Sequence, residues 1–289
     1  MKSLLFVLAL SLVLVKSASA DVLVLVHGYL GTAQSWAESG ALDRLQRRGY
    51  RLAGTYGYSA RGVLFQPAQR GPTELPVYTV NLPSQAPVVI QADWLAAFLR
   101  EIRKRHPDQP INLAAHSAGG VVARMLLVRH GDMGVVHVIT IATPHLGTGR
   151  AIQALEATND GGMFGFVRSW LVRRATGDAL YATVQVSRGL LLDLTPPAPG
   201  NLLFWLNQQP HPDIDYTSIM RIGTFQMPGD HVVPPLSQDL NRVPALAGRA
   251  RTYSMAQGHL LTAQDGDLIG NLLAQPAAAA GSHEAAPAR

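Results

Sequence analysis

The sequence predicts an α/β fold, a mostly parallel central sheet flanked by helices. Three observations carry that expectation. Strand-like and helix-like segments alternate along the chain. Val22-Leu23-Val24-Leu25-Val26 is a continuous apolar run, as expected of a strand buried on both faces. The stretch from Ile111 to Gly119 reads as strand, sharp turn and helix, with a serine between two small residues at the turn.

The elements follow in order. Met1-Lys2 is a short basic start, Leu4 to Val15 an apolar stretch, and Ala18-Ser19-Ala20 an A-x-A cleavage site. Residues 1–20 are therefore expected to be a signal peptide, leaving Asp21 first and the protein secreted or periplasmic. The alternative is an uncleaved anchor, and Lys16 is unusual within a cleavage region. After the first strand, residues 33–48 read as a helix stopped by Gly49. Residues 77–82 look like the next core strand, ended by Pro83, which makes residues 50–76 an insertion. Residues 51–58 are the competing choice for that strand. Residues 88–106 form an amphipathic helix stopped by Pro107. Residues 111–115 enter the serine turn and 118–130 leave it as a helix. Residues 135–142 are another buried strand.

Residues 147–200 are the largest excursion. Gly161-Gly162 offers a hinge. Met163, Phe164, Phe166, Val167, Trp170 and Leu171 make an apolar face at helical spacing. This is either a helix packed on the core or a cap over an apolar pocket, with Phe166 and Trp170 touching substrate. Residues 214–224 and 250–255 supply two further strands, and 260–273 a closing helix. Residues 275–289 are rich in Ala and Pro and read as a disordered tail. One domain is thus expected over residues 21–274, with 147–200 as a cap-like or lid-like insertion.

Composition narrows the function. With 289 residues, 47% hydrophobic and 15% charged, the chain can bury a sizeable core. The absence of cysteine excludes disulfides, Cys-based zinc sites and a Cys nucleophile. The net charge of +5 falls to +3 without Lys2 and Lys16, which leaves 22 basic against 19 acidic residues. The one dense basic cluster, Arg100, Arg103, Lys104 and Arg105, closes a predicted helix, where positive charge suits the helix dipole. No basic patch is interleaved with aromatics, so no nucleic acid is expected as a partner.

The chemistry centres on Ala115-His116-Ser117-Ala118-Gly119. This is a G-x-S-x-G nucleophile elbow with Ala115 in place of the first glycine, a departure of one methyl. A serine hydroxyl is a weak nucleophile unless a histidine takes its proton, and that histidine needs a carboxylate to fix its tautomer. Asp230, in Gly229-Asp230-His231-Val232-Val233-Pro234, and His259, in Gly258-His259-Leu260, each follow a late strand. Asp213, Asp215 and Asp239 are alternative acids, though none sits as directly in a post-strand loop. His231 adjoins Asp230 and would point differently, and His283 lies in the tail. A developing oxyanion needs two donors. The Ala118 amide follows the nucleophile, and the Tyr29 amide follows the first strand in Val26-His27-Gly28-Tyr29. His27 reads as a brace for that loop.

These motifs, together with Thr143-Pro144-His145-Leu146-Gly147-Thr148, resemble bacterial lipases and esterases of the α/β-hydrolase superfamily. The alanine at the elbow resembles the small Bacillus-type lipases, and the T-P-H-x-G-T stretch resembles class 2 lipases. The match spans roughly residues 22–273. The resemblance implies the α/β-hydrolase fold and carboxylic ester hydrolysis by a Ser117–His259–Asp230 triad through an acyl-enzyme, with no cofactor. The expected partner is an ester or lipid substrate, a lipid interface being one setting. His145 is expected to be structural. The calcium site of some larger bacterial lipases needs an acid two residues after the histidine, where this chain has Leu261, so no metal is carried over. Asp265 and Asp267 are expected to face solvent. Thioesterase, acyltransferase and polyester depolymerase chemistry remain open with the same triad. A non-catalytic binding module is a further alternative, against which the three intact residues speak.

Overall fold

The computed structural model describes residues 21–68, 74–157, 178–223 and 229–275. Residues 1–20, expected to be a signal peptide, residues 276–289, expected to be a tail, and Phe166 and Trp170 with their apolar neighbours lie outside the described residues.

Eight strands form one sheet in the order β3-β2-β4-β1-β5-β6-β7-β8. They are β1 (Val22–Val26), β2 (Arg51–Ser59), β3 (Gly62–Pro67), β4 (Pro76–Val80), β5 (Ile111–His116), β6 (Val135–Ile141), β7 (Asp215–Ile222) and β8 (Ala250–Ala256). Every pairing is parallel except that of β3 with β2. The apolar run of β1 explains its central place, because each face meets a separate core. Val22, Val24 and Val26 pack with α3 (Val88–Arg105) and α4 (Ala118–His130). Leu23 and Leu25 pack with Trp36, with Leu45 of α2 (Ala41–Arg47) and with Ile269 near the chain's end. Fully burying one such side chain is worth about 1.5–3 kcal/mol, so this two-sided run fixes the strand's register firmly.

Two expectations need correction. Residues 50–76 are not an insertion. Arg51–Ser59 is a strand of the main sheet, parallel to β4, and continues into the β2–β3 hairpin. It lies second from the sheet's edge and its burial is patchy, so it lacks the apolar run of a central strand. Tyr56 is its anchor, with ring centroids 5.5 Å from Tyr78 and 6.1 Å from Phe98. The single helix expected over residues 33–48 is two, α1 (Ser35–Glu38) and α2. Gly40 divides them at φ +77°, a left-handed conformation open to glycine at little cost.

Between β6 and β7 the chain carries α5 (Gly149–Ala157), α6 (Asp178–Val186), α7 (Arg188–Asp193) and α8 (Leu202–Leu206). The last helix is α9 (Ala263–Ala274), opened by a Thr262–Asp265 capping box. Because the strands run parallel, the loops that follow β1, β5, β7 and β8 emerge at one edge of the sheet, where open α/β sheets place their sites.

Candidate active site

Ser117 stands between the end of β5 and the first residue of α4, at φ 52° and ψ −129°. A non-glycine residue there carries about 1–3 kcal/mol of strain, which the surroundings must sustain. They do so on both sides. The Ser117 amide donates to the Ile141 carbonyl at 2.8 Å, and the Ser117 carbonyl accepts from the Gly120 amide at 3.0 Å. Gly119 lies hard against the His27 carbonyl, which accounts for the elbow's second glycine. Ala115 is fully buried in register between Val26 and Thr140, so the methyl in place of the first glycine has room.

Three distant side chains meet here. Ser117 Oγ lies 2.9 Å from His259 Nε2, and His259 Nδ1 lies 2.7 Å from Asp230 Oδ2. The carboxylate accepts the Nδ1–H, which leaves Nε2 as the acceptor of the serine hydroxyl. Asp230 also accepts the backbone amides of Val232 (2.7 Å) and Val233 (2.9 Å) and the Gln238 side-chain amide (3.1 Å). Burial alone would raise its pKa. The hydrogen bond from His259 and the Val233 and Val232 amides outweigh burial and hold the carboxyl below the usual carboxylate value. The alternative acids do not reach His259. Asp239 caps the short turn that follows it, Asp213 pairs with Arg249, and Asp215 pairs with Arg251. His231 is exposed.

The Ala118 amide is the first of α4 and has no carbonyl one turn earlier to bond within the helix. The loop after β1 brings Gly28 against the serine. A Cβ on Gly28 would sit 2.7 Å from Ser117 Cβ and 3.3 Å from Oγ, so only glycine lets this loop lie over the nucleophile. His27 braces it. Its Nε2 accepts the Leu82 amide at 3.0 Å, its Nδ1 donates to the Gly28 carbonyl at 2.9 Å, and burial keeps the ring neutral by lowering its pKa. A cleft of about 450 Å³ opens beside the serine, lined among others by Gly28, Tyr29, Leu30, His116 and Leu260. Leu30, Val232, Leu236 and Leu260, all in these loops, are exposed. A larger cleft of about 670 Å³ lies between the loops after β1 and β4 and shares Gly31 with it.

Other groups define the surroundings. His145 is fully buried, with Nε2 3.2 Å from Thr140 Oγ1 and its carbonyl accepting from Asn207 at 3.0 Å, so it ties two loops together. Burial, with the nearby Arg124 and His211, holds its pKa well below the ordinary value. His116, on which sequence reasoning was silent, donates from Nε2 to the His259 carbonyl at 2.8 Å. Asp265 does not face solvent as expected. It is fully buried, and Arg221 Nη2 donates to both of its carboxylate oxygens, at 2.6 and 2.7 Å. Asp267 is part-exposed, near Arg44 and Arg48.

Known structures share this architecture. The product of gene lin2722 from Listeria innocua is 16% identical, with a TM-score of 0.61 over 90% of this chain and 96% of that one. The mature Bacillus licheniformis lipase BlEst2 is 19% identical, with a TM-score of 0.57 over 89% and 93%. The RedJ thioesterase of Streptomyces coelicolor is 18% identical, with a TM-score of 0.50 over 89% and 86%. No curated protein matches the chain closely enough to count as a relative. The alpha/beta hydrolase fold family model matches residues 21–181. With more than half its length inside that match, and a strand order and serine turn that fit it, the chain belongs to the alpha/beta hydrolase fold family.

Proposed function

We propose that this protein hydrolyses carboxylic esters through a covalent acyl-enzyme. The observation that carries the reading is the unbroken hydrogen-bonded line from Ser117 Oγ through His259 to Asp230. In the first half-reaction Ser117 Oγ attacks the carbonyl carbon while its proton passes to His259 Nε2. Asp230 holds the Nδ1–H and balances the imidazolium. The amides of Tyr29 and Ala118 face the oxyanion. His259 then gives its proton to the departing alkoxide. In the second half a water molecule repeats the cycle on the acyl carbonyl and frees the acid.

Leu30 and Leu260, exposed and lining the cleft, support an apolar acyl group and contact with lipid. The likeness to a lipase supports the same direction, while the thioesterase neighbour keeps thioesters within reach of the same chemistry. Residues 147–200 act as the cap in this reading, and the leader directs export. A fluorophosphonate probe should add its mass at Ser117, and p-nitrophenyl esters of graded length should be turned over, with matched thioesters separating the two chemistries. Failure of both labelling and turnover on every substrate would leave a hydrolase fold used only for binding. Mass spectrometry of exported protein should show a chain starting at Asp21.

A further inference from the structure

The acid loop and the histidine loop are both tied to one residue, Arg221 of β7. Its backbone amide donates to Gln238 Oε1 at 2.7 Å. That bond orients the Gln238 amide, whose nitrogen donates to Asp230 Oδ2 at 3.1 Å and to the Val233 carbonyl at 2.7 Å. Its side chain runs the other way. Nη1 donates to Gln257 Oε1 at 2.7 Å, two residues before His259. Nη2 grips Asp265, whose Oδ2 accepts the Thr262 amide at 2.7 Å, three residues after His259. The Thr262 hydroxyl closes the ring by donating to Gln257 Oε1 at 3.1 Å.

We propose that Arg221 is the positioning residue that sets the Asp230–His259 geometry from both loops at once. The inference rests on the ester hydrolase reading above. Stability alone does not account for this arrangement. Both side chains of the Arg221–Asp265 pair are fully buried, and an apolar pair of similar volume is often as stable as a buried ion pair. What the pair adds is direction, because a guanidinium is a planar fork with fixed donor angles. Among the described residues Arg221 Nε is buried without an acceptor, so the fork is aligned to the two flanks of the histidine loop at the expense of its own hydrogen bonding, while the backbone amide serves the acid loop. A shift of about 1 Å in a catalytic group can lower turnover about a hundredfold, so such alignment has a kinetic consequence.

Two variants test this without stranding a charge. Arg221→Met combined with Asp265→Leu removes the pair together. Gln257→Met cuts the arm to the histidine loop and leaves the pair intact. Turnover of p-nitrophenyl butyrate is measured per serine titrated with a fluorophosphonate, so that a misfolded fraction does not count. In both variants kcat per titrated site should fall roughly 10- to 100-fold while KM changes less than about threefold. The rate of fluorophosphonate labelling should fall in step. If the double variant does not fold, Gln257→Met decides. A kcat within about twofold of wild type in the folded variants overturns the inference and leaves Arg221 a core residue. A wild type that neither labels nor turns over overturns the ester hydrolase reading, and this inference with it.

Discussion

His116 donates a hydrogen bond from Nε2 to the carbonyl oxygen of His259 across 2.8 Å. The residue just before the serine thus holds the loop of the histidine that hydrogen-bonds the serine. Burial, and next the neighbouring His259 ring, push the His116 pKa down to about 3. His116 is therefore a neutral donor at every pH where the protein would work. His116→Phe should lower kcat by about tenfold, because the loop loses one of its ties. The pH midpoint of the acid limb should not move, since His116 carries no proton change above about pH 4. A shifted midpoint with unchanged kcat would show that His116 titrates in the cycle.

Ser117→Ala should remove nearly all turnover, a loss of about 10⁴-fold or more, and abolish fluorophosphonate labelling. Ser117→Gly should be as inactive yet melt at or above the wild-type temperature. Its φ of 52° is strained for serine and open to glycine. Calorimetry on the three proteins separates the two effects.

Asp230→Asn should be severe, because an amide can stabilise the wrong His259 tautomer and cannot balance the imidazolium. Asp239→Asn should keep near wild-type turnover, since among the described residues that side chain accepts only the Asn241 amide, at 2.9 Å. The opposite ranking in steady-state kinetics would move the acid to Asp239.

Gly28→Ala should cut kcat by about 10- to 100-fold with the fold retained. The new methyl meets Ser117 Cβ at 2.7 Å and must displace either the loop after β1 or Ser117. Circular dichroism alongside the kinetics checks both halves of this expectation.

Acid should destabilise the fold well before its carboxylates titrate. Burial, and then a neighbouring arginine, lowers both His137 and His211 to about 4. Their unfolded value is about 6.5. Above that pH both states are neutral and nothing changes. Below it the unfolded chain takes up protons that the folded chain refuses, so stability drops as pH falls from 6.5 to about 4. The slope approaches roughly 1.4 kcal/mol per histidine per pH unit. For these two it levels off below about 4. His145, whose burial also holds it well below the ordinary histidine value, acts in the same direction. Urea midpoints at pH 7.5, 6 and 5 should decrease in that order, and a flat series would contradict the neutral-histidine picture.

How much of this was legible beforehand depends on whether a signal is local. β1 announces itself because both its faces are apolar, and the serine turn because small residues must flank it. Asp230 and His259 were findable because each follows a strand. β2 was misread as insertion because a near-edge strand with one anchoring tyrosine shows no run. The break at Gly40 was hidden by apolar spacing that continues through it. Arg221 and His116 left no pattern at all, since the groups their side chains bond lie 34 to 143 positions away, and Gln238, 8 positions from Asp230, is an amide in a loop with no periodicity to mark it. Asp265 looked like a surface acid for the same reason.

The strand order puts Ser117 after a strand in the middle of the sheet and His259 after the strand at its rim. A ribosome delivers Ser117 while most of the chain is still unmade, and His259 only after β8. Every shorter precursor holds a hydroxyl with no imidazole to take its proton, and is chemically silent toward esters. In the ester hydrolase reading, turnover requires β8 to dock beside β7, so the appearance of activity during synthesis or refolding would time that step.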